Sequence, residues 1–194
     1  ELLPEYLGFV QGVVDAPDLN LNVSREILQE DRLVRNIRKN LVKQIFSTLE
    51  GMEKEKYEDF FKEFGQALKA GIPTDYENKE KLASLLRYKT TKSGDKVITL
   101  DEYIENMKEG QKEIYYLTGE SLTSLMNSPL LESLKAKGYE VILMVDPIDE
   151  WVTQSLPEYK EKKLKSAEKG DLDLGKVDDE KKNEYSALLS FLKG

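Results

Sequence analysis

Two short apolar runs, Glu113 to Thr118 and Tyr139 to Val145, constrain the fold of this chain more than any other feature. Each has the length of a strand, and neither alternates apolar with polar residues, so each needs cover on both faces. The residues between them follow helical spacing and break at Asn127-Ser128-Pro129. Strand, helical crossover and strand make a βαβ unit, which predicts parallel strands, a right-handed connection and helices on both sides of the sheet. The fold class is therefore α/β with mixed α+β character.

The elements around this unit are mostly helical. Gly8 to Asp15 is rich in valine and ends at Ala16-Pro17-Asp18, which reads as a short buried strand and a turn. Ser24 is placed to cap a helix, and Val34, Ile37, Leu41, Ile45 and Leu49 continue it at helical spacing as a rod of about seven turns ending at Gly51. Tyr57, Phe60, Phe61, Phe64 and Leu68 form an aromatic stripe on a second helix, closed by Gly71 and Pro73. Leu82, Leu85 and Leu86 mark a third helix. Thr99 and Glu102 have capping-box spacing ahead of Leu100, Tyr103, Ile104 and Met107. Asp146 is read as an N-cap, with Pro147 in the first helical position and a helix to about Leu156. Beyond Lys169-Gly170 a charged stretch, Asp171 to Asn183, reads as a linker, and Tyr185, Leu188, Leu189 and Leu192 resume helical spacing.

Composition removes many chemistries. The 194 residues include no His and no Cys, so imidazole-activated nucleophiles, thiolate or imidazole zinc sites and disulfides are excluded within them. No run approaches the roughly 18 apolar residues of a membrane span. The net charge of −8 is uneven, because Arg32, Arg35, Arg38, Lys39 and Lys43 fall in a stretch without acids. Such a stripe, 32 to 43, is read either as a solvated helix face meeting acidic neighbours or as a contact for RNA or an acidic protein. Gly119, Glu120, Ser121 and Asp146 lie where parallel strands end, a place that binds ligands in open α/β sheets, but a single glycine suits a structural turn better than a phosphate cradle.

Two further places invite a functional reading. Leu19 to Gln29 is a polar loop running into a helix, and it puts Arg25 in the first turn, where a carboxylate would suit the helix dipole better. Free amides, dipole and guanidinium together would make an anion site; a solvated arginine paired with Glu26 is the plainer alternative. Trp151 is the only tryptophan and follows Asp149-Glu150. Ile148 and Val152 are read as sharing its helix face, which points to core packing.

Three separated motifs carry a resemblance. They are Leu3-Pro4-Glu5-Tyr6-Leu7-Gly8-Phe9-Val10 running on to Leu19-Asn20-Leu21-Asn22-Val23-Ser24-Arg25-Glu26, then Gln111-Lys112-Glu113-Ile114-Tyr115-Tyr116-Leu117-Thr118-Gly119, and Asp146-Pro147-Ile148-Asp149-Glu150-Trp151. In this order, across essentially the whole chain, they resemble the middle domain of the ninety-kilodalton heat-shock chaperone family, nearest its bacterial branch. The resemblance implies an ATP-dependent chaperone of the cytoplasm, of which this chain is a piece that neither binds nor hydrolyses ATP usefully by itself. It implies that Arg25 reaches the γ-phosphate of ATP, bound with Mg in a preceding N-terminal domain, while Gln29 and Asn22 serve loop and domain docking. It implies that Glu150 and Trp151 touch unfolded client proteins, that co-chaperones are further partners, and that the intact protein is a homodimer. No nucleic acid, membrane or resident metal is expected. The implied layout is the end of a larger α/β layer with catalytic loop and long helix over 1–50, a helical connector over 51–110, a small αβα sandwich over 111–170, and a linker with the start of a helix toward a dimerisation domain over 171–194.

Overall fold

A computed structural model of the chain describes residues 2–15 and 32–168. Its centre is the pair of apolar runs, now strands β2 (Ile114–Thr118) and β3 (Val141–Met144), which pair in parallel with Tyr115 opposite Val141 and Leu117 opposite Leu143. Three strands without such apolar runs complete a five-stranded sheet: β1 (Lys89–Thr90) and the hairpin of β4 (Glu158–Tyr159) with β5 (Lys162–Ser166), in the order β1-β3-β2-β5-β4. β5 runs parallel to β2, whereas β1 and β4 are antiparallel to their neighbours.

The period-two geometry of strands divides the central pair between two cores. Ile114, Ile142 and Met144 face a large cluster, while Tyr115, Leu117, Val141 and Leu143 face a smaller one. The smaller core is closed by the crossover, α5 (Leu122–Met126) and α6 (Glu132–Ala136), with Leu125, Leu131 and Leu134 buried. The crossover breaks where Ser128 caps a 3₁₀ turn, Pro129–Leu131. The larger core is shared with α1 (Arg32–Glu50), α2 (Lys54–Gly71), α3 (Lys79–Leu85), α4 (Leu100–Glu105) and α7 (Asp149–Ser155).

Local chemistry explains several of these elements. Thr99 accepts the amide of Glu102 at 2.9 Å, and Glu102 accepts the amide of Thr99 at 2.8 Å, so the capping box at α4 is complete. The C-terminal end of α2 comes close to its neighbours, since a Cβ on Gly71 would lie 2.8 Å from Leu82 and 2.9 Å from Tyr6. Tyr6 lies beside a 3₁₀ turn, Glu5–Leu7, and its hydroxyl donates to Asp75 at 2.6 Å.

Three expectations are corrected. Gly8 to Asp15 is not a strand: residues 10–15 pair with no described strand and Val13 is fully exposed, because valine content cannot substitute for a hydrogen-bonded neighbour. The apolar face of α1 is also displaced. Val42, Phe46 and Leu49 are buried, whereas Val34, Ile37, Leu41 and Ile45 are half-buried, so the helix turns a neighbouring stripe to the core. Asp146 does not cap α7, which begins at Asp149; its carboxylate is drawn to a lysine instead. The expected cap at Ser24 and the elements past Gly170, including Tyr185, Leu188, Leu189 and Leu192, lie outside the described residues.

Candidate functional site

Helix α7 carries the site residues that the structure describes. Residues two apart on a helix point about 200° from each other, so one face holds Asp149, Val152 and Leu156 and another holds Glu150 and Trp151. The first face is buried, with exposures of 1%, 1% and 4%. The second faces solvent, and Trp151 is 60% exposed. Trp151 is therefore not a core residue, and it does not share a face with Val152. Val152, adjacent in sequence, points the other way.

Both ends of α7 are held by lysines. Lys69, in the last turn of α2, places its Nζ 2.8 Å from Asp149 Oδ1, 2.6 Å from Asp146 Oδ2 and 4.6 Å from the centre of the Tyr88 ring. Gln66 adds a hydrogen bond to Asp146 at 3.3 Å, and the Asp146 amide donates to Asp149 Oδ2 at 3.1 Å. At the other end, Lys79 donates to the Ser155 carbonyl at 2.8 Å and lies 4.4 Å over the Tyr76 ring. Burial raises the Asp149 carboxyl above its ordinary range, and the like charge of Asp146 adds to this, while Lys69 opposes it. Tyr88, wholly buried, is pushed well above its ordinary value by the same desolvation and by Asp149.

The sequence singles out Glu150 and Trp151 but not Lys69, Lys79 or the burial of Asp149. The available signal was a lysine following Leu68 on the inward side of an apolar stripe, which is uncommon unless the charge is paired. Asn22, Arg25 and Gln29 lie outside the described residues.

The other candidates resolve as structural features. A Cβ on Gly119 would lie 2.6 Å from Leu125, the Gly119 amide donates to Met144, and Ser121 caps α5, so this turn is closed by packing. Arg35, Arg38 and Lys39 of the basic stripe are exposed and share a cleft of about 770 Å³ with Glu5, Asp75 and Glu77. Acidic neighbours thus line the same cleft as the stripe. Among the described residues no group of carboxylates could hold a metal ion, and no helix is long and apolar enough to cross a membrane.

Comparison with known proteins adds to this geometry. The model of the family described as Hsp90 protein matches residues 1–192. The Chaperone protein HtpG of Bdellovibrio bacteriovorus is 54% identical over 187 residues, covering 95% of this chain and 30% of that protein. HtpG of Geobacter sulfurreducens is 49% identical, with 100% and 32% covered. The chain therefore spans about a third of the length of these curated relatives. Among solved structures, the middle domain of a Plasmodium falciparum heat shock protein matches with a TM-score of 0.69 and 40% identity, over 72% of this chain and 60% of that one.

Proposed function

This chain belongs to the Hsp90 family, and from that premise we propose that it serves an ATP-driven chaperone cycle by presenting Glu150 and Trp151 to unfolded client protein and by supplying Arg25 to the ATP site of a neighbouring domain. The observation that carries the client reading is the 60% exposure of the single tryptophan on a helix whose opposite face is fully buried. Leaving so large an aromatic in water forgoes about 2 kcal/mol or more of burial. An indole held out beside a carboxylate suits weak, adaptable contact with chains that expose apolar and basic groups.

In the second role the chain provides charge and position only. The nucleotide and Mg would be held by another domain. Arg25 would place a planar cation where negative charge grows in the transition state, with Gln29 and Asn22 docking the loop. Such an arginine can supply about a thousandfold in rate or more. The layout over 1–50, 51–110, 111–170 and 171–194, with the last part leading to a dimerisation domain, belongs to the same proposal, as do co-chaperone partners.

The test of the client reading is the affinity of the intact protein for a fluorescein-labelled, reduced and carboxymethylated α-lactalbumin. Trp151→Ala is expected to weaken binding about tenfold, as loss of an aromatic anchor does, and Trp151→Phe less. Equal affinity in all three proteins would refute it. For Arg25, Ala and Lys substitutions should both retain ATP binding and lose most hydrolysis, because an ammonium cannot replace the bidentate fork; unchanged hydrolysis would reduce Arg25 to a surface cation.

A further inference from the structure

Two rotations of α7 about its axis compete. Turning Trp151 inward beside Ile148, which is half-buried already, would bury the largest side chain of the helix in place of Asp149. Instead Asp149 is 1% exposed and Trp151 is 60% exposed. A carboxylate goes inside only when it is paired, and the partner is Lys69, the only buried basic side chain among the described residues. Its Nζ is held from three sides, by Asp149, by Asp146 and by the Tyr88 ring.

We propose that Lys69 is the positioning residue for the client-contacting pair: by holding Asp149 inward it sets the rotation of α7 and so turns Glu150 and Trp151 to the surface. This rests on the reading of Glu150 and Trp151 as the client contact. Lys69 itself touches no client. Its reach is through Asp149, whose second carboxylate oxygen also takes the Asp146 amide and so fixes the start of the helix. Lys79 on the Ser155 carbonyl holds the other end of the helix.

The experiment uses the full-length protein labelled with 5-fluorotryptophan, with the Trp151 resonance assigned by its loss in Trp151→Phe. Lys69→Met should shift that resonance and reduce its solvent isotope effect, as the indole turns inward, and should weaken binding of the carboxymethylated α-lactalbumin about three- to thirtyfold. Lys69→Met combined with Asp149→Leu puts an apolar residue at the inward position; it should return both the resonance and the affinity toward wild type, although no ion pair is restored. Where Lys69→Met is too unstable to purify, Asp149→Asn, in which Lys69 keeps Asp146, should move the resonance in the same direction. A Trp151 resonance unmoved by Lys69→Met or Asp149→Asn overturns the proposal, and so does a double variant that folds but keeps the single variant's signal. If instead the resonance behaves as described while Trp151→Ala binds the probe as wild type does, the client reading fails and the control of helix rotation by Lys69 stands.

Discussion

The two faces of the central sheet are packed by different means. Behind Tyr115, Leu117, Val141 and Leu143 the fully buried filling is Leu125, Leu131, Leu134 and Ala167, contributed largely by the crossover itself, and the Lys165–Glu113 pair is only half-buried at its edge. Behind Ile114, Ile142 and Met144 the filling comes from helices on both sides of the strands in sequence, and it includes a buried lysine, a buried aspartate and a tyrosine hydroxyl. The first face buries no charged side chain fully. The second uses charge to hold a packing that apolar burial would not choose, and the helix so held carries the exposed tryptophan.

Mutations can sharpen this contrast, and urea unfolding of the 194-residue chain would read them. Lys69→Met should cost about 3–5 kcal/mol, since it strands Asp149 in the interior, while an apolar replacement of both partners should recover most of that loss. On the other face, Leu134→Ala should cost about 2–4 kcal/mol and shows no comparable rescue by a charged or polar partner. Removing the α4 cap with Thr99→Ala should cost about 1 kcal/mol. At the exposed pair of Lys56 with Glu53, Lys56→Ala should change stability by less than about 0.5 kcal/mol.

The response to acid gives a further contrast. Burial alone would raise the Asp75 carboxyl, but hydrogen bonds from Tyr6 and Asn78 outweigh it and hold the group below 3.8. Its folded value is depressed, so the stability it contributes is present above 3.8 and is lost as pH falls through the folded value. Asp149 has the opposite sign: its folded value is raised, so its contribution is greatest below 3.8 and declines as pH rises through the window above it. Urea midpoints between pH 5 and pH 2 should fall less steeply in Tyr6→Phe than in the natural sequence, and parallel slopes would remove Asp75 from the acid response.

The βαβ unit was legible because continuous apolar strands bounded by turn residues leave little choice, and the capping box because both partners are local. The β4–β5 hairpin was not. Its turn residues, Lys160 and Glu161, take positive φ of 45° and 63° without the glycine or asparagine that announces such turns, and β5 reads Lys-Lys-Leu-Lys-Ser, its lysine at 165 half-buried beside Glu113 at 3.5 Å. Trp151 stayed ambiguous in sequence because the residue that decides its orientation stands 82 positions earlier. Arg25, Gln29 and Asn22 could be read only through a motif. Local physics marks Arg25 as out of place at a helix start but does not say what it meets.

The central claim is that Trp151 is a client contact and not merely an exposed aromatic, and Tyr76 supplies the comparison, being 76% exposed on a turn beside Lys79. A photoactivatable benzoylphenylalanine would be placed at position 151 or at position 76 of the intact protein and irradiated with the carboxymethylated α-lactalbumin, and the crosslinked product quantified. The account predicts abundant adduct from position 151 and little from position 76; equal yields from both would contradict it.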